Sequence, residues 1–199
     1  MANNLTVFFI SENYVKEQSA VMDNVGDDFI RSHVLESQNI HIQNIIGTKL
    51  YDALVDDYTV TGKTFSTTAY KTLIDSYIQP CLLYYTLYES MYDLAMKFTN
   101  KSIVKQSSDN STNVEDSMFY ARRSDFKNKA EYYSQRLIDF LLNNDDVYTL
   151  YRDWVIDDEP NTIAPNKSSN YSNGLYLNDV KKDTVYKLDS SNPRFSPLN

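Results

Sequence analysis

Apolar positions in this chain keep a helical period over most of its length. From Asp27 onward, Phe29, Ile30, Val34, His41, Ile42 and Ile45 recur at helical steps, which places them on one helix face. Gly47 follows at the position where a glycine commonly ends a helix. Thr48 then offers a cap for a short helix carrying Leu50, Tyr51, Leu54 and Tyr58, and Thr61-Gly62-Lys63 reads as a turn. The strongest pattern comes next. Tyr70, Ile74, Tyr77, Cys81, Tyr84, Tyr88, Met91, Ala95 and Phe98 follow a 4-3-4-3 spacing. That spacing predicts one stripe, widened by Leu73, Leu87 and Leu94, on the inner face of a long helix. Pro80 falls inside it. Proline has no amide donor and its ring crowds the carbonyl of Ser76, so the sequence predicts a kink or a new helix start there.

After a polar stretch over residues 100–113, a second stripe begins: Phe119, Phe126, Ala130, Tyr133, Leu137 and Phe140, with Arg123 in the one missing place. Two long amphipathic helices joined by a loop predict an antiparallel hairpin that hides the two stripes against each other and against the earlier helices. A last short helix is expected to hold Val147, Leu150, Tyr151 and Trp154.

The ends read differently. "LTVFFI" is β-branched and aromatic and predicts a short N-terminal strand. Ser11-Glu12 then has the form of a helix N-cap with an acid in the first turn. Beyond residue 156 the period is lost and Asn, Ser, Asp and Pro dominate, with isolated aromatics at Tyr171, Tyr176, Tyr186 and Phe195. This stretch is too polar to fold alone, so it is expected to be flexible or laid along a partner, with those four aromatics as candidate docking residues. Asn173-Gly174 marks a candidate hairpin turn. The fold expected is mainly α: a bundle of long antiparallel helices with a short N-terminal strand, as a helical domain over residues 1–155 and an extended C-terminal arm over 156–199.

Composition narrows the classes of function. The 199 residues are 42% hydrophobic and 23% charged, a globular balance. A net charge of −8 disfavours wrapping a nucleic-acid backbone, which takes clustered Lys and Arg. With a single cysteine, Cys81, no intrachain disulfide forms. The apolar run Leu5–Ile10 lacks a basic flank and is too short for a secretory leader. No apolar run approaches the ~18 residues of a membrane span. The expectation is a soluble intracellular product.

Candidate chemistry is thin. His33 and Glu36 form His-x-x-Glu, the reverse of the carboxylate-bridged metal order and without a second copy, so both His33 and His41 read as ordinary helix positions. Cys81 sits on the apolar stripe with no basic neighbour and reads as a small buried hydrophobe. Glu89 and Asp93 lie one helical turn apart, as paired catalytic acids do, but read as a solvated face supported by Lys97. With four glycines and no glycine-rich phosphate loop or nucleophile elbow, no catalytic, metal or cofactor site is assigned. Arg122, Arg123 and Lys127, with Lys129 beside them, form the candidate basic patch, and a solvated helix face is its plainer reading. Tyrosine, at 17 copies, suits either a hydroxyl-satisfied core or protein interfaces.

Three segments, "VLESQNIHIQNIIGTKLYDALVDDY", "AYKTLIDSYIQPCLLYYTLYESMYDLAMKFTNKSI" and "AEYYSQRLIDFLLNN", resemble in order and spacing the head–tail connector proteins of tailed bacteriophages, those of crAss-like phages above all. The resemblance covers roughly residues 5 to 155. It implies a structural, non-enzymatic virion protein, assembled in the bacterial cytoplasm as a ring, a dodecamer, in the neck below the portal. Its implied partners are further copies of itself, the portal, adjacent neck or tail rings, and genomic DNA passing without sequence-specific contact. An anionic lumen repels DNA and lets it slide. Connector subunits grip the portal or a neighbouring ring with a terminal extension, so the arm is expected to order only in the assembly. A tail-completion or tail-tube role fits less well, because those folds are β-rich. The alternative from another class is a small helical-bundle enzyme or ligand-binding protein with a tyrosine-lined pocket between the two long helices.

Overall fold

The computed structural model describes residues 7–21, 23–62, 64–98, 103–105, 116–152 and 162–167. The described chain is mainly α. Its helices are α1 (Glu12–Gln18), α2 (Asp27–Ser37), α3 (Gln43–Ile46), α4 (Thr48–Val60), α5 (Thr68–Leu73), α6 (Gln79–Ala95), α7 (Asp116–Asn143) and α8 (Thr149–Arg152). Two π-turns, Gln38–Ile42 and Ile74–Ile78, join α2 to α3 and α5 to α6. Ser11 caps α1 as its sequence predicts, its Oγ accepting from the Tyr14 amide at 3.1 Å. Gly47 closes α3 at φ 79°, a conformation glycine adopts without a Cβ penalty.

The second π-turn explains how Pro80 is accommodated. Pro80 is the second residue of α6, directly after the widened turn. There its missing amide and crowded ring fall at a junction where the regular bonding pattern is already interrupted. The widened turn also shifts the helix face by about one residue, so the nine-residue stripe is not one inner face. The fully buried row is Leu73, Ile74, Ile78, Cys81 and Leu82, with Leu83 and Leu87 close behind. Tyr70, Tyr77, Tyr84 and Tyr88 are only half-buried. The core row packs against Ile30, Val34, Ile42, Ile46, Leu50 and Leu54 of the earlier helices. Each such side chain contributes about 1.5–3 kcal/mol by leaving water.

The tyrosines form a seam with α7. Tyr77 stacks on Phe140 with centroids 3.8 Å apart, Tyr84 on Tyr133 at 5.3 Å, and Tyr92 meets Phe119 at 5.6 Å. Numbers rise along α6 as they fall along α7. Ala130 and Leu137 are wholly buried on α7, as the second stripe predicts.

Two expectations about the linking segment change. Phe98 does not extend the stripe: Met96–Phe98 is strand β1, paired antiparallel with β2 (Ile103–Lys105) inside the stretch expected to be loop. At the N-terminus, residues 5 and 6 lie outside the described residues, and residues 7–10 form no strand although Val7, Phe9 and Ile10 are buried. At the other end, residues 162–167 lie on the chain's own surface, so this part of the expected arm already has a seat. The Asn166 amide donates to Asn44 O at 3.0 Å and the Thr48 amide to Ile163 O at 3.1 Å. Asn44 is in the last turn of α3 and Thr48 is the first residue of α4, so the segment satisfies an acceptor and a donor that helix ends leave unpaired. The Thr48 hydroxyl accepts from the Ile163 amide at 2.9 Å, a different task from the cap expected of it. Trp154 lies outside the described residues.

Candidate functional site

Gln38 of the first π-turn and Gln79, just after the second, both bond to the segment 7–10. Gln38 opens the first and is wholly buried. Its side-chain oxygen accepts from the Phe9 amide at 3.0 Å and its side-chain nitrogen donates to Val7 O at 3.0 Å. The carboxamide thus takes the place of a neighbouring strand. The same nitrogen donates to Tyr51 Oη at 2.8 Å, and Tyr51 in turn donates to Asn39 Oδ1 at 3.2 Å. Burial holds the Tyr51 hydroxyl above its ordinary pKa, with the Gln38 bond opposing the shift. Gln79, just after the second π-turn, donates to Phe9 O at 3.1 Å. π-Turns inside helices recur at functional sites, and here two converge on one strap.

Beside the strap lies an open cavity of about 710 Å³. It is lined by residues 7–12 together with Tyr58, Thr64, Phe65, Lys71, Ile74, Asp75 and Gln79. The Tyr58 and Phe65 rings meet at 5.3 Å. The turn after α4 holds Phe65 there. Gly62 takes φ 73° and Asp57 accepts from the Ser66 amide at 2.8 Å. No α7 residue lines the cavity, and among its lining residues the only tyrosine is Tyr58.

The candidate residues of the sequence are distributed elsewhere. Tyr171, Tyr176, Tyr186 and Phe195 lie outside the described residues, as does the Asn173-Gly174 turn. The basic residues lie along α7, each with a local partner. Arg122 sits 3.5 Å from Asp125 and over the Phe126 ring, Lys127 pairs with Glu131 at 3.5 Å and Lys129 with Asp125 at 2.9 Å. Arg123 lies over Tyr88 at 3.7 Å and Tyr92 at 4.2 Å. Its flat guanidinium fills the gap in the second stripe by stacking, as a ring would.

Glu89 and Asp93 are not merely a solvated face: each meets one of the two histidines. His41 Nε2 lies 2.8 Å from Glu89 Oε1 and its ring stacks on Tyr85 at 3.8 Å. His33 is buried, with Nε2 3.4 Å from Asp93 Oδ2 and its edge against Phe29. Burial pushes the Tyr85 hydroxyl up to about 12. Cys81 is fully buried, which pushes its thiol up and fits a small hydrophobe. Among the described residues no group of three or more His, Cys, Asp or Glu is arranged to hold a metal, and no helix is long and apolar enough to cross a membrane.

A family model matches residues 42–154, more than half of the chain, and describes a family of unknown function, DUF6712. The chain belongs to the DUF6712 family. No curated protein and no solved structure matches it. The DUF6712 match takes in the whole α6–α7 seam, Gly47, Tyr58, Phe65 and Gln79, and begins four residues after Gln38.

Sequence reading missed the strap and its two glutamines. A polar residue amid an apolar helical run, as Gln38 is between Val34 and Ile42, was the available signal. It asks what a buried carboxamide would bond.

Proposed function

We propose that this DUF6712 chain is a structural, non-enzymatic virion subunit of a tailed phage. In this reading it forms a ring, a dodecamer, at the head-to-tail interface below the portal and extends the DNA channel. The reading treats α6 and α7 as an antiparallel hairpin and the C-terminal residues as an arm. One structural observation carries it beyond the sequence resemblance. Large apolar side chains stay exposed at the ribbon end of the α6–α7 pair: Leu94 is 41% exposed, Met118 63% and Tyr120 58%. Apolar groups gathered at one end of a rod suit contact with another subunit. The net charge of −8 suits a channel wall that repels phosphate.

The test is assembly. Light scattering of the purified chain, alone and with the portal of the same phage, should give a ring mass or a portal complex. Met118→Glu with Tyr120→Glu should abolish either species while leaving helical circular dichroism unchanged. A monomer indifferent to the portal, together with no matching density in the imaged neck, would defeat the proposal.

A further inference from the structure

The two histidines that meet α6 differ in what their neighbours ask of the ring. His41 meets one carboxylate, with Nε2 2.8 Å from Glu89 Oε1. A neutral imidazole has one N–H donor and one bare acceptor nitrogen. A ring protonated at Nε2 therefore satisfies Glu89 whether or not it carries charge. His33 meets two carboxylates. Its Nε2 lies 3.4 Å from Asp93 Oδ2 on α6, and its Nδ1 lies 3.5 Å from Glu36 Oε2 on α2. Only the imidazolium has a donor on both nitrogens. In the neutral ring one bare nitrogen faces a carboxylate, acceptor against acceptor. Water has little access to relieve this, because His33 is 5% exposed and its Nδ1 has no hydrogen-bond partner among the described residues.

We infer that His33 is a proton-responsive latch between α2 and α6, closed when both ring nitrogens carry a proton and loosened when one is lost. The charged groups around the ring act with one sign. On α6, Asp93 faces it, and Glu89 one turn earlier is taken by His41. On α2 itself, Glu36 faces it. α1 also packs on α2, but its Glu12 and Lys16 pair with Arg31 and Asp27. Among the described residues no lysine or arginine pairs with Glu36 or Asp93; the side chain of Lys97, four residues beyond Asp93, lies outside them. Burial disfavours the charged ring, and a carboxylate at each nitrogen favours it. Side chains of Glu36 and Asp93 are 50% and 47% exposed, so each can turn into water once the ring is neutral, and the link from α2 to α6 at this point is then lost. The latch therefore contributes at the acid end of the histidine range and fades as pH rises through it. This inference is independent of the virion reading.

Two measurements on the full chain test it. In the first, the ring nitrogens are read by NMR at about pH 7, in the wild type and in Glu36→Gln combined with Asp93→Asn. These changes keep side-chain size, fall at half-exposed positions and leave His33 in place. The ratio of doubly protonated to neutral His33 should be at least about threefold higher in the wild type, while His41 is nearly the same in both. Equal His33 ratios would overturn the inference. In the second, opening of the α2 amides from Val34 to Ser37, corrected for intrinsic exchange, is followed from about pH 5.5 to about pH 7.5. The amides of Leu137 and Ile138 in α7 serve as the reference. Opening of α2 relative to α7 should rise at least about threefold in the wild type and stay flat in the double variant and in His33→Gln. A flat wild-type ratio, or the same rise in the double variant, would show that the ring's protons do not fasten α2, and would overturn the inference.

Discussion

The α6–α7 seam and the two docked segments are held by opposite means. Along α6 and α7 the helices keep their period, and ring faces do the holding: Tyr84 on Tyr133 and Arg123 over Tyr88 and Tyr92, with Tyr77 of the second π-turn on Phe140 at one end. The extended segments dock where the helical period lapses. Residues 7–10 lie on side-chain amides at the two π-turns, and residues 162–167 lie at the Gly47 break between α3 and α4. A regular helix consumes its own backbone groups and offers only side-chain surface. The Gly47 break leaves a backbone acceptor and a backbone donor for residues 162–167, whereas residues 7–10 are met by two glutamine side chains placed at the π-turns.

The sharpest way to break this comparison is Gln38→Leu. Leucine keeps much of the volume but strands the Phe9 amide and the Val7 carbonyl in a buried place. Two orphaned backbone groups and a lost tyrosine partner should cost about 3 kcal/mol, read as a lower denaturation midpoint. Exchange at Phe9 should rise much further than exchange in α7. A uniform rise would mean that strap and seam open together as one unit, and the division between them would be false.

The same division decides what was legible in the sequence. The seam was: a 4-3 spacing is a property of neighbours along the chain, and it pointed correctly to Ala130 and Leu137 and to the aromatics that meet across the helices. Even Arg123 announced itself as the gap in a stripe. What the spacing could not reveal was the π-turn at 74–78, which moved the deep core onto Ile78 and Leu82 and left the tyrosines half-buried at its edge. The strap was not legible, because its partners come from positions 38 and 79 and no local pattern joins them to Phe9. The His41–Glu89 and His33–Asp93 pairs were hidden for the same reason. The β1–β2 ribbon was hidden because Phe98 fits the helical spacing and Ile103–Lys105 lies in a polar stretch that reads as loop.

Gly47→Ala is the next largest effect and tests the other docked segment. The backbone there sits at φ 79°, and an added Cβ would lie 2.9 Å from Pro165 Cδ. With ψ 158° this backbone is open essentially only to glycine, so strain alone costs about 1–3 kcal/mol, and the clash should unseat Pro165. The Thr48 and Ile163 amides should lose protection together, while the strap amide of Phe9 keeps its own. Retained protection at Ile163 would show that the segment is held by something other than the Gly47 break.

High pH probes a partly buried tyrosine, Tyr85 of α6, on whose ring His41 stacks. The folded state holds the Tyr85 proton up to about 12, against about 10 in the unfolded chain. The raised value means the native state binds more protons across that window. Its stabilising contribution is therefore whole below pH ~10 and is lost as pH climbs toward about 12. In Tyr85→Phe the fall in denaturation midpoint across that window should be shallower. Identical slopes in the two proteins would place Tyr85 in contact with water.

Arg123→Lys makes the smallest and most discriminating change to the seam. The charge is kept, so any effect that rests on charge alone should survive. The guanidinium carbon lies over two tyrosine rings, 3.7 Å from the Tyr88 centroid and 4.2 Å from that of Tyr92, and its Nε has no hydrogen-bond partner among the described residues. An ammonium is a compact, strongly hydrated charge that cannot cover two rings. Stability should therefore drop by about 0.5–1 kcal/mol, nearly as much as in Arg123→Ala. Double-mutant cycles with Tyr88→Leu should return most of that amount as coupling. If lysine instead kept the wild-type value, the contact would be one of charge alone, and stacking would not be what sets the seam apart from the hydrogen-bonded segments.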